Sequence, residues 1–331
     1  MRITNSMMSK SFLRDVGRNQ SNMKKINDQL TSGKEFRKPS DNPFKVARSM
    51  QLQSDINTNT QYNQNIKDTI NFLDTTDTAL EQVNNAFQRV RELMVSSGNA
   101  AYGSDEKRAI KDEINEKINE VSQILNTNFD GKYIFGGTKG SSKPVGSMED
   151  SDTGNNILHF SGRDGEKLDL NSDVEDIKNQ INMIGGSLNT EISQGVNVEY
   201  NVSASDILMF KDADGNSINV MDLFEDITNN LDSNDQEKSL KVTNENLKTM
   251  DSALSNLLKV RSEVGAKQNR MEAAQEQNEA ENYNMTSILS QTEDIDFAEK
   301  TIEASVMQSV YMASLQTSAR ILQPSLMDYL R

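Results

Sequence analysis

Residues 66–94, IKDTINFLDTTDTALEQVNNAFQRVRELM, place an apolar side chain at every seventh position: Ile66, Leu73, Leu80, Phe87 and Met94. Thr69, Thr76, Val83 and Val90 fill the position three residues after each of the first four. Under-wound helices return to one face every 3.5 residues, so this is the seam of a coiled coil. The pattern weakens backwards through Tyr62, Ile56 and Leu52, and no proline or glycine interrupts the chain between Pro43 and Gly98. The spacing predicts one helix over 43–98, roughly 80 Å long at 1.5 Å per residue. An average globular helix has about 11–12 residues. A helix this long cannot bury its own stripe, and it requires partner helices from elsewhere in the chain.

Three other stretches can supply them. Ile110, Ile114, Val121 and Leu125, with Ile118 and Ile124 beside them, predict an amphipathic helix over 104–126. The short turn before it makes it antiparallel to the first, and Glu106, Lys107, Arg108, Lys111, Asp112 and Glu113 form its solvated face. Helix returns from Leu240, with Met250, Leu257, Val264 and Met271 in one seam and Leu247 and Leu254 alternating with them. Arg261, Gln268 and Gln275 also fall on seam positions, so that stretch is either solvated or packed through polar contacts.

At the chain ends, Phe12, Val16, Met23, Ile26 and Leu30 mark an N-terminal helix, with Asn19 in its seam. Ile302, Val306, Val310 and Ala313 form one stripe of a last helix, and Met307, Tyr311, Leu315 and Leu322 lie beside it. Pro324 limits that helix. The expected pairing sets Val16, Met23 and Leu30 against Ile302, Val306 and Val310. It leaves Met307, Tyr311 and Leu315 wet until another molecule covers them.

Between the N-terminal and the long helix, Gly33 reads as the residue just past a helix end. Pro39 blocks continuation, and Asn42-Pro43 reads as N-cap and first helical position. After residue 132 the periodicity changes. Tyr133-Ile134-Phe135 reads as a short strand closed by Gly136-Gly137, and residues 139–156 as a polar loop. Ile157–Phe160 and Lys167–Leu170 flank an Asp-Gly turn and read as a hairpin. Residues 196–202 alternate as a strand, residues 206–210 and 217–220 flank a second Asp-Gly turn, and residues 221–231 read as a helix. The expected fold is mainly α with a β-rich insert. It is an elongated antiparallel long-helix coiled-coil rod, with the insert at its outer end and paired terminal helices at its inner end. Three domains follow: a terminal assembly domain (1–42 plus 290–331), a helical rod (43–132 plus 239–289) and the insert (133–238).

Composition narrows the function. Hydrophobic residues make up 34% of the 331 residues and aromatics 5%, with no tryptophan. That is too little for several compact cores but enough for narrow helical seams. A net charge of −15 argues against non-specific nucleic-acid binding and against an anionic membrane surface, both of which need a basic face. No run of about 18 apolar residues could span a membrane, and the first thirty residues carry no signal-peptide core. There is no cysteine and a single histidine, His159, so thiolate catalysis and paired-histidine metal sites are excluded. Asp212-Ala-Asp-Gly215-Asn216 has the look of a calcium loop. Aligning Gly215 with the sixth loop position, however, puts Phe210 first and Met221 twelfth, where oxygen ligands belong. It reads as a turn. No catalytic residue, cofactor or metal is expected, since acid–base catalysis needs a convergent pocket and fifty acidic residues along helices are solvated charge.

Several short motifs carry a family resemblance. Gln29-Leu30-Thr31-Ser32-Gly33-Lys34 followed by Pro39-Ser40-Asp41-Asn42-Pro43 resembles the N-terminal region of the flagellin superfamily. The Pro-Ser-Asp-x-Pro form is similar to its hook–filament junction branch, hook-associated protein 3. The likeness continues through residues 128–137, 264–270, 293–298 and 325–330, while 138–238 matches only in type. The resemblance implies a structural subunit that self-assembles in a tube joining hook to filament, a homo-oligomer with no enzymatic activity. It implies contact with hook-associated protein 1 on the hook side, flagellin on the filament side, and an export chaperone before assembly. It also implies an extracellular place in the flagellum, reached through the flagellar type III apparatus without a cleaved signal peptide. The expected assembly interface is Phe12, Val16, Met23, Ile26, Leu30, Ile302, Val306, Val310, Tyr311 and Leu315, with Pro39, Asn42 and Pro43 as an elbow. Filament flagellin, or a flagellin-like adhesin presenting its insert, is the alternative.

Overall fold

The structure, a computed structural model, describes residues 5–99, 103–151, 153–170, 172–212, 215–232 and 236–321. Leu322, Pro324 and the 325–330 motif lie outside the described residues, as do Ala213 and Asp214 of the calcium-like loop. Helices dominate: α1 (Asn5–Ser32), α2 (Pro43–Ser97), α3 (Ser104–Leu125), α4 (Glu175–Ile184), α5 (Ala204–Leu208), α6 (Val220–Asp232), α7 (Gln236–Lys241), α8 (Leu247–Glu293) and α9 (Phe297–Ile321). Among the described residues, eight short strands form four separate two-stranded antiparallel sheets: β1 (Asn128–Phe129) with β2 (Lys132–Tyr133), β3 (Val145–Glu149) with β4 (Asn156–Phe160), β5 (Asn189–Ser193) with β6 (Val196–Glu199), and β7 (Met209–Lys211) with β8 (Ser217–Asn219). The chain is thus mainly α with a β-rich insert. Its residues gather into two compact units, one of residues 1–60 and 280–331, the other of residues 61–279.

The 61–279 unit is built on the seam of α2. Ile66, Leu73, Leu80, Phe87 and Met94 are all fully buried, and so are Val83 and Val90. Thr69 and Thr76 tolerate burial because each hydroxyl donates to the carbonyl four residues earlier, Asn65 at 2.7 Å and Phe72 at 2.8 Å. α8 runs antiparallel along this helix. Arg91 meets Asp251 at 2.5 Å, Arg261 grips Asp77 at 2.7 and 3.0 Å and Glu81 at 2.8 Å, and Gln268 reaches Asp74 at 2.8 Å. The polar seam positions of α8 at 261 and 268 are therefore packed through polar contacts. α3 is also antiparallel to α2, since Arg89 meets Glu113 at 2.7 Å while the Phe72 and Phe129 rings lie 6.0 Å apart at the other end. Phe87 meets Phe224 of α6 edge-to-face at 5.6 Å, which ties the helical seam to the insert.

Within the insert the second Asp-Gly hairpin forms, with β7 and β8 closed by a turn in which Gly215 takes φ 83°. Three expectations are corrected. Tyr133-Ile134-Phe135 is not a strand: only Lys132–Tyr133 pairs, and Ile134–Gly136 is a single 3-10 turn. Ile134 and Phe135 are both fully buried rather than alternating. Gly137 then turns at φ 55°, so close to α4 that a Cβ there would lie 2.3 Å from the Ile184 carbonyl oxygen. The polar loop 139–156 contains β3, which pairs with β4. α3 and the residue that caps its end hold that hairpin: Asn126 exchanges two hydrogen bonds with the Val145 backbone, and the Asn115 side-chain and backbone oxygens accept from Asn156. The hairpin of 157–160 with 167–170 pairs only next to its turn, through the Ser161–Lys167 bridge. His159 packs across from Gly146, where a Cβ would sit 2.7 Å from its Nε2. The one histidine is a buried packing residue.

The seam yields the first prediction. Leu80→Ala leaves a cavity in a fully buried site, and such changes cost about 2–5 kcal/mol. Urea denaturation should show that loss, while Leu52→Ala, at a half-buried position, should cost far less. Equal effects at the two positions would mean that the seam is not where the stability lies.

Candidate assembly surface

The 1–60/280–331 unit is built from α1, the start of α2, the end of α8 and α9. Where α1 ends, Gly33 takes φ 71° and donates its N–H to Gln29 at 2.8 Å, the left-handed helix stop expected from the sequence. The chain then clasps the end of α8. Glu35 donates to the Glu293 carbonyl at 2.6 Å, and Ile295 donates to the Gly33 carbonyl at 3.1 Å. The Lys34 ammonium lies 2.8 Å from Asp294 and 3.4 Å from Glu293. Gln29, itself buried, closes the loop by donating to the Glu35 carbonyl at 2.6 Å. Phe36 is buried, and the Phe297 ring covers Gly33.

The segment expected as an elbow follows. Asp41 accepts from the N–H groups of Arg37 and Lys38 at 3.2 and 3.1 Å, and Asn42 caps α2 by accepting from Lys45 N at 3.2 Å. Pro39 and Pro43 are exposed and Asn42 is half-buried.

α9 packs antiparallel on α1, because the clasp joins the end of one to the start of the other. On α1, Ile26 is buried and Phe12, Val16, Met23 and Leu30 are half-buried. On α9 the order of the two stripes is the reverse of the expected one. The half-covered positions are Lys300, Ala304, Met307, Tyr311 and Ser314, with Glu303 beside them, while Ile302, Val306 and Val310 are 66%, 57% and 43% exposed. Leu315 is exposed as well. The spacing explains this. Steps of four, three, four and three keep residues 300–314 on one heptad face, whereas the uniform steps of four from 302 to 310 drift about 40° each time around the helix. Ala304 and Ser314 are small and polar enough to hide that face from a count of large apolar residues.

Ile26 and Phe36 are the only buried apolar residues of this unit among those described, while the core of the other unit runs from Ile66 to Met271. The balance of exposed residues is the opposite. Met7, Met8 and Leu13 of α1, Phe44 and Met50 of α2, Tyr283 and Ile288 of α8, and Phe297, Ile302, Val306, Val310, Met312 and Leu315 of α9 all face outward. Large exposed apolar areas mark interaction surfaces.

Known proteins with this arrangement identify the family. Residues 3–140 match the bacterial flagellin N-terminal helical region and residues 247–330 the C-terminal helical region. The chain belongs to the flagellin superfamily. It is a structural component of the bacterial flagellum, and no helix among its described residues is long and apolar enough to cross a membrane. A flagellin of Bacillus subtilis is 28% identical over 313 residues, covering 92% of this chain and 90% of the relative. Flagellar hook associated protein-3 of Legionella pneumophila shares the fold with a TM-score of 0.57 at 15% identity, covering 73% of this chain and 98% of that one. FlgL of Xanthomonas campestris does so with a TM-score of 0.55 at 15% identity, covering 71% and 98%.

Lys34, Glu293, Asp294 and Gln29 were not foreseen as partners in the clasp. The signal present in the sequence was their position inside the two family motifs, but a contact 260 residues apart has no local periodicity. Lys34 holds the Asp294 carboxyl below its ordinary value of 3.8, helped by the Ser290 hydroxyl, and the backbone N–H groups of Arg37 and Lys38 do the same for Asp41. Depressed carboxylates stabilise fully above 3.8, and the contribution is lost as pH falls through their lower folded values. The raised Lys34 ammonium stabilises below 10.5 and loses its effect as pH rises through its folded value. These groups are exposed, so each effect is small. Amide exchange at Gly33, Glu35 and Ile295, corrected for intrinsic rates, should therefore accelerate below pH 3.8 while residues 66–94 keep their protection. Equal acid sensitivity in both places would rule out the clasp as the weak point.

The α1–α9 pair itself should exchange quickly in the isolated chain. Ordering backbone costs about 1–2 kcal/mol per residue, and few side chains here are fully covered. Strong protection of residues 12–30 and 302–317 in a verified monomer would show that the pair is stable alone.

Proposed function

We propose that this chain is a junction subunit between hook and filament, assembling through its terminal helices. The observation that carries the reading is the inverted burial of the 1–60/280–331 unit, with two buried apolar residues among those described and a surface rich in apolar ones. Neighbouring copies in a tube would cover Ile302, Val306, Val310 and Leu315 on α9, while Phe12, Val16, Met23, Ile26, Leu30 and Tyr311 hold the α1–α9 pair in register. The terminal assembly domain is proposed as residues 1–42 plus 290–331. Hook-associated protein 1 on one side, flagellin on the other and an export chaperone beforehand are the partners this role requires, with export by the flagellar type III apparatus. Support for the junction rather than the filament comes from Pro39-Ser40-Asp41-Asn42-Pro43 and from the fold shared with hook associated protein-3.

Filament flagellin is the second reading, favoured by the Bacillus relative matched over nearly its whole length. Immunogold labelling separates the two: a band at the hook–filament boundary supports the junction, and labelling along the filament supports flagellin. Burying one aliphatic side chain contributes about 1.5–3 kcal/mol. Ile302→Asp with Val306→Asp should therefore abolish incorporation while leaving monomer unfolding unchanged, because both residues are exposed in the single chain. Normal incorporation of this variant would remove α9 from the interface.

The elbow is tested separately. Asn42→Ala costs about 1 kcal/mol as a lost N-cap, too little to unfold α2. Combined with Pro43→Gly it should give a folded subunit with poor filament attachment. Wild-type swimming would count against an elbow role for Pro39, Asn42 and Pro43.

A further inference from the structure

A cavity of about 640 Å³ lies within the 61–279 unit, where α2, the β1–β2 turn and the β5–β6 hairpin meet. Its walls are held by contacts made inside the chain. Phe72 of α2, only 9% exposed, meets the rings of Phe129 and Tyr200 edge-to-face, with centroids 6.0 and 5.1 Å away. Those two rings are half-buried, so Phe72 fixes them while part of each still lines the cavity. The Tyr200 N–H donates to the Leu188 carbonyl at 3.1 Å, and the Tyr133 N–H donates to the Gly140 carbonyl at 2.9 Å. Asp130 and Gly131 turn the chain with φ 50° and 77°, and the Gly131 N–H donates to the Asn128 side chain at 3.0 Å. A site whose walls are fixed beforehand loses little entropy when it is filled.

Polar side chains surround the rings, and they fall into two groups. The hydroxyls of Thr69 and Thr138 are used internally, donating to the Asn65 and Met183 carbonyls at 2.7 and 3.0 Å. The side chains of Asp130, Lys132, Ser141, Thr190 and Tyr200 make no hydrogen bond or ion pair with any described residue. Thr190 and Tyr200 are half-buried and the other three exposed, so water alone serves them in the free chain. One of these groups only accepts, one only donates, and three hydroxyls do both. Burial holds the Tyr200 phenol above its ordinary value of 10.0, so it keeps its proton to donate at neutral pH.

This mixture selects a class of ligand. A nucleotide or other phosphate would bring its charge past Asp68 and Asp130 to a single lining cation, Lys132. A purely apolar molecule would cover hydroxyls and leave them nothing to bond. A sugar ring meets both demands. Its C–H groups seat on the electron-rich face of an aromatic ring, and its hydroxyls both accept and donate. We propose that this cavity binds a neutral mono- or disaccharide. The sugar lies against Phe129 and Tyr200, accepts from Lys132, donates to Asp130, and exchanges hydrogen bonds with the Thr190 and Tyr200 hydroxyls. The volume is within the about 300–1,000 Å³ of small-molecule sites. The site does not depend on the subunit's place in the flagellum.

The test titrates the full chain with cellobiose, maltose and diacetylchitobiose and follows backbone amide shifts by NMR. At least one sugar should bind saturably in the millimolar range, with shifts centred on Phe129, Thr190 and Tyr200. Tyr200→Phe keeps the ring against Phe72 and removes only the hydroxyl, and Thr190→Val keeps the shape of the side chain. Each should weaken binding several-fold while the shifts of residues 66–94 stay in place. Three results would overturn the proposal. One is the absence of saturable shifts with all three sugars. Another is phenol binding at the same residues more tightly than any sugar and equally well in Tyr200→Phe, which would mean an apolar cavity alone. The third is sugar binding that neither variant weakens, which would place the sugar elsewhere.

Discussion

A narrow apolar stripe running the length of a helix can be hidden only by other elements laid along it, and α2 imposes that demand from Ile66 to Met94. Each neighbour answers part of it. α3 and α8 lie antiparallel along the stripe, and α6 closes it through Phe224 against Phe87. Ions then fix the register that apolar contacts alone leave sliding. A heptad seam is nearly degenerate under a shift of seven residues, whereas Arg261 between Asp77 and Glu81, with Arg91 on Asp251, matches only one alignment. Such exposed pairs add little stability, so their contribution is to specificity.

Before residue 60 the same helix carries no comparable stripe. Leu52 and Ile56 are only half-buried, and Phe44 and Met50 face outward. The terminal unit therefore relies on backbone pairing and polar contacts around Gly33, Lys34, Glu293 and Asp294 to hold α1, α8 and α9 together. That is a different kind of cohesion from the seam. It fixes where the helices meet without covering their apolar sides.

Much of this was legible from spacing. Fully buried heptad positions on α2, the glycine stop at 33 and the Asn42-Pro43 helix start each rest on local chemistry, and local chemistry is what a sequence displays. What failed was non-local. β3 has only Val145 and Met148 as large apolar residues and its hairpin is held by Asn115 of α3 and Asn126 at the end of that helix, which no local pattern can show. The expected 157–170 hairpin has good turn chemistry and pairs next to the turn, but its far end meets α6 instead of its own partner strand. On α9 both apolar stripes were visible. Choosing between them required noticing that Lys300, Ala304, Met307, Tyr311 and Ser314 form the true heptad, a pattern carried by small and polar residues. The clasp was visible only as two motifs far apart in the chain.

Under the proposed assembly, the exposed stripe on α9 means that the terminal unit need not be stable alone. Covering Ile302, Val306 and Val310 within the same chain would have required a third helix, and a subunit satisfied in that way would have nothing left to drive association. In the proposed assembly, leaving them bare places the stabilising burial in the contact between copies. The cost is a weakly held α1–α9 pair, and the clasp limits that cost by fixing the two helix ends nearest each other. Only the remaining lengths of the helices must then be ordered when neighbours arrive. Each residue already fixed before association is one whose backbone entropy does not oppose it.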